Sequence, residues 1–388
     1  MQYTVLIAGS TSHTTMCAEA LFADERFSIC GVLTPSPRPI GRKQIITPNP
    51  LHQFATEHAL PIVHVEKRID QTVRHQLEST LQLESTPELE QDMQRGSTVQ
   101  IGSALHSSVT TARPDFLLVV DFGYIVPNWL LELPTTAPVN IHPSKLPQWR
   151  GSSPGQFVLL YGEKQSSVSV IIMNDLLDQG ALVTQLPFAV QETWTQTEYY
   201  SRAFTLVAAK LPSILDDLAQ KRITPEPQPL DTPTPIAARF TKEDGFVPWE
   251  MVTAAMSGAA WDTLLANGSD AQKQHPEPTT NYLLSPLLDA ALAFHGSPAK
   301  LIYYASHALS PWPGIWTIVQ TVAGEKRMKI LTSRLDAELE LGSVAGSVTN
   351  SATKSAPNAT QPAKLILETV QLEGKSPTPW SSVKSLII

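Results

Sequence analysis

Short apolar segments rich in β-branched residues alternate with helical patterns over the first 65 residues of the chain. In order they read YTVLIAG, TMCAEALFADE, FSICGVLT, NPLHQFATEHAL and PIVHV, and DFLLVVDFG and SVSVIIMN follow as further strands. Strands separated by helices of this length indicate βαβ units and a parallel sheet. The sequence therefore predicts an α/β, doubly wound domain. In such a sheet, ligands bind outside the carboxyl ends of the strands.

Composition divides the rest of the chain. Residues 71–111 are rich in Gln, Ser, Thr and Glu and are interpreted as a polar, solvated insertion within a first domain, 1–222. Residues 223–250 begin with the proline-dense ITPEPQPLDTPTP and are predicted to be a linker. In 251–388, a helical span is followed by the β-like segments KLIYYA, GIWTIVQTV, RMKILTS and AKLILETVQLEG. We therefore expect a smaller, β-rich second domain.

Charge, hydropathy and cysteine content exclude several classes of protein. The net charge of −8 over 388 residues argues against a surface wholly dedicated to nucleic acid, although a local basic patch remains compatible with it. The chain has no basic segment before an apolar start and no long apolar run, so we expect a cytoplasmic protein without a signal peptide or membrane span. Cys17 and Cys30 are too few for a disulfide framework or a structural zinc site, and we expect both to be buried as small apolar residues.

Polar side chains follow two of the predicted strands. In NIHPSKLPQWRGSSPGQ, residues 140–156, an extended backbone would turn Asn140 and His142 to one side. In MNDLLDQG, Asp175 and Asp178 follow an apolar strand, and Gly180 permits a tight turn. A carboxylate beside a histidine suits general acid–base chemistry. Taken alone, however, each feature is more often structural, so spacing leaves both interpretations open.

Six segments resemble motifs of one family in the family's order. NIHPSKLPQWRGSSPGQ resembles the signature of the 10-formyltetrahydrofolate-dependent formyltransferases, and MNDLLDQG is similar to their acidic turn. The other four resemble motifs of the family's methionyl-tRNA branch and read RPIGRKQIITPNP, ARFTKEDGFVPW, SPWPG and VQLEGK. The resemblance implies a Rossmann-like formyltransferase domain followed by a smaller, OB-like β-barrel domain that binds tRNA.

The resemblance also implies an activity and a site. The expected reaction transfers a formyl group from the co-substrate 10-formyltetrahydrofolate to the α-amino group of methionyl-initiator tRNA, without a metal and with the enzyme acting as a monomer. It makes Asn140, His142 and Asp178 the catalytic residues. The other expected contacts are to folate by Ser144, Lys145, Leu146 and Pro147, and to tRNA by Arg42 and Lys43.

The chain departs from the family pattern at three places. GSTSHT at 9–14 replaces Gly-Thr-Pro-Asp-Phe, Lys145 replaces a leucine, and Leu176 replaces a glycine before the expected catalytic aspartate. These changes leave alternatives open: a formyltransferase acting on an amino sugar nucleotide or a glycinamide ribotide, or an inactive relative that binds folate or tRNA. A metal hydrolase using His142 and Asp178 is a further alternative.

Overall fold

The computed structural model describes most of the chain in two compact units. Described residues are 2–41, 43–83, 113–258, 284–336 and 363–388. The first unit comprises Met1–Gly151, Ser167–Phe188 and Tyr200–Ile236, and the second comprises Ser152–Ser166, Ala189–Tyr199 and Ala237–Ile388. Each unit is therefore built from three separate segments of the chain. The predicted domains, 1–222 and 251–388 with a linker at 223–250, were each a single continuous segment.

Strands and helices alternate through the first half of the described chain, and strands dominate its last part. The strands are β1 Tyr3–Gly9, β2 Phe27–Pro35, β3 Arg38–Ile40, β4 Ile45–Thr47, β5 Ile62–Val65, β6 Phe116–Val120, β7 Ala137–His142, β8 Gln165–Ile172, β9 Leu182–Ala189, β10 Ile315–Thr321, β11 Gly324–Leu335, β12 Leu365–Leu372 and β13 Thr378–Pro379. The α-helices are α1 Ser12–Phe22, α2 Pro50–Glu57, α3 Gln71–Thr80, α4 Asn128–Leu131, α5 Pro154–Leu160, α6 Gln196–Ala208, α7 Leu211–Ala219, α8 Trp249–Ser257, α9 Pro286–His295, α10 Pro298–Ala308 and α11 Trp380–Val383.

A seven-stranded sheet organises the first half of the chain, in the order β5-β2-β1-β6-β7-β8-β9. The pairs β1–β2, β2–β5, β1–β6 and β6–β7 are parallel, which confirms the predicted doubly wound α/β architecture. β7 and β8 are antiparallel, so the sheet is mixed. The chain moves outward from β1 to β5 and then returns to the other side of β1 as β6. The topological switch point therefore lies between β1 and β6.

Helix α3 shows that the segment beginning at residue 71 is not solvated throughout. The side chains of Val73, Leu77 and Leu81 are buried in the same apolar cluster as Leu6 and Leu117 of the sheet. Apolar residues at this four-residue spacing line one face of a helix, which the Gln-rich and Thr-rich composition concealed. Our expectation of solvated chain is therefore wrong for 71–83, and the remainder of that segment, 84–111, lies outside the described residues.

The last part of the chain forms a four-stranded antiparallel sheet in the order β10-β11-β12-β13, as expected for a β-rich second domain. KLIYYA, however, is helical and belongs to α10. Pro298 occupies the first turn of that helix, and the buried Leu301, Ile302 and Ala305 follow helical spacing, which outweighs the strand preference of the tyrosines. In the described ranges, no helix is both long and apolar enough to cross a membrane.

Candidate active site

Asn140 and His142 are the fourth and last residues of β7, at the carboxyl edge of the sheet. Ile141 between them is 2% exposed, in agreement with strand alternation. Asn140 Nδ2 donates a hydrogen bond to Val119 O at 3.1 Å, across the β6–β7 pair. Asn140 Oδ1 is buried and has no hydrogen-bond partner among the described residues. Because a buried unsatisfied oxygen is costly, this amide is suited to meet a ligand.

The ring of His142 is oriented by a main-chain carbonyl. Nε2 lies 2.9 Å from Trp149 O, which can only accept, so this hydrogen bond assigns the proton to Nε2. Nδ1 is then left with its lone pair, 3.7 Å from Asp178 Oδ2. That separation is too long for a hydrogen bond but allows an ion pair once the ring is protonated. The nitrogen that can accept a proton is therefore the one beside the carboxylate.

Asp178 is held in the turn between β8 and β9. Its Oδ2 accepts a hydrogen bond from the Gly151 amide at 2.7 Å, and its side chain is 16% exposed. Its backbone φ is 52°, and Trp149 has φ 57°, so two residues that contact or orient the His142 ring are in the left-handed region. Such strain persists where the surrounding structure enforces it. Asp175, the other acid of this turn, is exposed to solvent.

Gln228, in the proline-dense segment, joins the two parts of the site. Its Nε2 donates to the carbonyls of Asp178 at 2.9 Å and Gly180 at 2.7 Å, and its Oε1 accepts from Arg150 Nη2 at 2.9 Å. Arg150 is 2% exposed and also donates to Pro229 O. Burial lowers the pKa of the Arg150 guanidinium, and the negative charge of Asp178 opposes that shift. Sequence reasoning missed Gln228, because a lone glutamine among prolines carries no motif.

Several polar atoms of the loop predicted to contact folate form hydrogen bonds within the protein. Ser144 is fully buried, and its Oγ donates to Gln148 O at 2.7 Å. Ser169 Oγ donates to Ser144 O at 2.6 Å, and the Leu146 amide donates to Ser169 Oγ. Leu146 is buried, Pro147 is half-buried and Lys145 is exposed. Of the four residues, Lys145 and Pro147 therefore present side chains to solvent.

Of the two residues predicted to contact tRNA, Lys43 lies on a hairpin formed by β3 and β4. Lys43 is exposed in its turn, and Arg42 lies outside the described residues. Ile40, Ile45 and Ile46 on the same hairpin are each more than half exposed. Elsewhere, within the ranges that the structure describes, no three His, Cys, Asp or Glu side chains come together as a possible metal site.

The sheet is that of an α/β protein, and its polar edge brings an amide and an imidazole of β7 together with a carboxylate from the turn between β8 and β9, an arrangement that suits an enzyme. The model of the family "Formyl transferase" matches residues 1–215, and that of "Formyl transferase, C-terminal domain" matches residues 289–385. The chain belongs to the formyl transferase family, as its motifs predicted.

Relatives within the family are distant. A methionyl-tRNA formyltransferase of Ehrlichia ruminantium is 26% identical over 216 residues, which are 55% of this chain and 60% of that protein. One of Chromohalobacter salexigens is 27% identical over 303 residues, 74% of this chain and 82% of the relative. A solved N-formyltransferase of Helicobacter canadensis, in complex with folinic acid and dTDP-3-aminofucose, has a TM-score of 0.50 at 11% identity, covering 95% of this chain and 99% of its own. This last similarity establishes the fold alone.

Proposed function

We propose that this protein transfers a formyl group from 10-formyltetrahydrofolate to the α-amino group of methionine esterified to initiator tRNA. The main support is that the curated relatives described above are methionyl-tRNA formyltransferases, one of them similar over 74% of this chain. The motifs at 38–50, 238–249, 310–314 and 370–375 resemble the same branch. In this proposal the protein acts in the cytoplasm as a monomer.

The residues around Asn140 suit a folate co-substrate, which would supply the activated formyl group. The buried, unpartnered Asn140 Oδ1 needs a donor, and a bound ligand can provide one. Lys145 and Pro147 would contact the ligand with their side chains, while Ser144 and Leu146 would shape the loop from inside. A lysine at 145 would favour the carboxylate-bearing part of a folate over its apolar part. The folate in the solved Helicobacter complex supports this class of co-substrate.

The catalytic residues would divide the work of acyl transfer. Attack by the amine places negative charge on the formyl oxygen, and Asn140 Nδ2 retains a second hydrogen that can donate to it beyond the one given to Val119 O. A preorganised donor of this kind contributes roughly 3 kcal/mol to transition-state stabilisation. His142 Nδ1 would take up a proton, and Asp178, 3.7 Å away, would stabilise the resulting imidazolium.

The tRNA would be held outside the catalytic trio. Arg42 and Lys43 would contact its phosphates, with Lys43 exposed on the β3–β4 hairpin, and the β-rich domain, 251–388, would provide a second binding surface. Because the whole chain carries a net charge of −8, tRNA binding would depend on such local basic groups.

A direct acceptor assay tests the proposal. Purified protein with 10-formyltetrahydrofolate is offered methionyl-initiator tRNA, methionyl-elongator tRNA, an amino sugar nucleotide and glycinamide ribotide, and each formylated product is quantified. We expect formylation of the initiator species. Formylation of the sugar or ribotide instead would contradict the proposed acceptor, and folate binding without turnover on any of the four would indicate an inactive relative. Loss of activity in His142→Ala, with folding retained, would support the assigned site.

A further inference from the structure

A second aspartate–histidine pair lies at the switch point of the sheet. β1 ends at Gly9 and β6 at Val120, which are partners in the parallel register. His13 is the second residue of α1, which follows β1, and Asp121 directly follows β6. Both residues thus lie at the carboxyl edge of adjacent strands, where doubly wound sheets bind ligands. His13 is part of the segment 9–14, at which the chain departs from the family pattern.

The geometry of this pair is that of an oriented base. His13 Nδ1 lies 2.8 Å from Asp121 Oδ2, and Thr11 Oγ1 donates to the same oxygen at 3.0 Å. Because the carboxylate accepts, Nδ1 carries the proton and Nε2 keeps its lone pair. Among the described residues, no hydrogen bond to Nε2 is formed. The ring stacks on Phe204, with centroids 4.5 Å apart and planes at 9°, which holds it in one orientation.

His13 and His142 differ in how their rings are connected. His142 donates a hydrogen bond from Nε2 to Trp149 O, and its Nδ1 lies 3.7 Å from Asp178 Oδ2. The Nδ1 of His13, in contrast, is hydrogen-bonded directly to Asp121 Oδ2. One residue of each pair belongs to the end of a strand in the same sheet. Asp121 follows β6 and His142 ends β7, and these two strands are parallel neighbours in the sheet.

We propose that His13 Nε2 accepts the proton that the acceptor amine must lose before it attacks the formyl group. An amine is largely an ammonium ion at neutral pH and has no lone pair until one N–H bond breaks. In this step the proton moves from the ammonium nitrogen to Nε2, the bonding electrons stay on nitrogen, and Asp121 stabilises the imidazolium formed. That nitrogen pair then forms the bond to the formyl carbon. When the tetrahedral adduct collapses, the bond between the formyl carbon and N10 of the folate breaks, N10 keeps the electron pair and takes a proton, and tetrahydrofolate leaves. His13 later returns its proton to solvent.

The surroundings of His13 are compatible with this role. Its side chain is 22% exposed and that of Asp121 38%, so both can meet a ligand. Titratable groups near the ring include Asp121, Tyr200, whose ring centroid lies 5.8 Å away, and Cys17 one turn along α1. Burial, and next the charge of Asp121, raise the pKa of the Cys17 thiol, which therefore stays neutral and does not compete for the proton. This inference rests on the proposed function, because it requires that the group receiving the formyl group is an amine.

The dependence of rate on pH tests the inference. In His13→Gln and Asp121→Asn we expect kcat/KM for the amine acceptor to fall about tenfold at pH 7, because only roughly a tenth of an α-amine is neutral at that pH without a base. The loss should shrink above about pH 8, where the amine is already neutral. His13→Ala should regain activity when imidazole is added, in a saturable manner. A loss of the same factor at every pH, without rescue by imidazole, would overturn the inference, because a structural role predicts that result.

Two controls separate the possible causes. Thr11→Val removes a hydrogen bond to the same Asp121 oxygen and the side-chain cap of α1, so it should lower stability while leaving the shape of the pH profile unchanged. A profile altered like that of His13→Gln would contradict the assignment to His13. All rates are measured with the amine that the wild-type protein formylates, so a wrong acceptor and a wrong base give different results. If the wild type formylates no amine, both proposals fail.

Discussion

At Asp178, one substitution can remove the negative charge of the side chain while keeping the side chain in place. In Asp178→Asn the remaining carbonyl oxygen can still accept the Gly151 amide hydrogen bond, so the turn should persist. The negative charge beside His142 Nδ1 is lost, however, and the imidazolium is no longer stabilised. We expect kcat/KM for formyl transfer to fall about 100-fold or more, measured from initial rates.

Asp175→Asn is the matched control for that substitution. It makes the same chemical change in the same turn, but the side chain of Asp175 is exposed and makes no ion pair with any described residue. We expect its rate to stay within about twofold of wild type, as for most surface substitutions. Equal losses in the two variants would show that net charge of the turn matters, and would remove Asp178 from the proposed trio.

At the scale of elements, the turn between β8 and β9 depends on the absence of a side chain at Gly180. A Cβ there would lie 1.7 Å from Ile172 O, a main-chain atom that cannot move alone. Gly180→Ala should therefore displace the turn that carries Asp178, lowering the free energy of unfolding by about 1–3 kcal/mol. Formyl transfer should fall by more than that loss of stability explains, because Gln228 would lose its bond to Gly180 O.

Gly31→Ala provides the comparison, to be followed by thermal unfolding and initial rates. A Cβ at Gly31 would meet its nearest neighbour, Pro61 O, at 3.5 Å, which is ordinary van der Waals contact. This variant should retain both stability and activity. If Gly180→Ala behaved in the same way, the turn would be more adaptable than its contacts indicate.

At the scale of the whole molecule, stability should depend on pH through a charged network. The hydrogen bond from Arg26 lowers the pKa of Asp24, and Arg26 also pairs with Asp216 of α7 at 3.1 Å. A carboxyl group with a lowered pKa contributes stability above its unfolded value, about 3.9, and loses it as the pH falls through the folded value. Arg26→Gln should thus reduce the fall in Tm between pH 5 and pH 3. Arg68 is exposed, and its Nε lies 3.9 Å from Asp70 Oδ2. The control substitution Arg68→Gln should therefore leave the fall in Tm unchanged.

Use of tRNA should also respond to charge at this scale. Arg42→Glu and Lys43→Glu should raise KM for charged tRNA and reduce the slope of log(kcat/KM) against log salt by about 1 each, because each residue would neutralise one phosphate. The KM for the folate should not change. Lys221→Glu, an exposed lysine after α7, serves as the control. A salt slope reduced equally by Lys221→Glu would indicate nonspecific attraction and remove the special role of the hairpin.

Much of the architecture was predictable because it is encoded locally. The period of apolar residues distinguishes strands from helices, and alternation within β7 placed Asn140 and His142 on one side. Predictions from local composition were wrong where packing against the rest of the protein decides the structure of a segment. KLIYYA has the composition of a strand but packs as part of α10, and α3 has a polar composition but buries Val73 and Leu77. In both, burial of one face outweighs residue preference.

The sequence by itself determined the α/β sheet and the family, since both depend on patterns of neighbours along the chain, and the resemblance to that family supplied the three residues expected to carry out the chemistry. Only the tertiary structure decided which atoms meet: Gln228 and Asp178 are 50 residues apart, and His13 and Asp121 are 108 apart. Hydrogen bonds require positions within a few tenths of an ångström. Such precision comes from the packing of distant segments, which no local pattern of residues encodes.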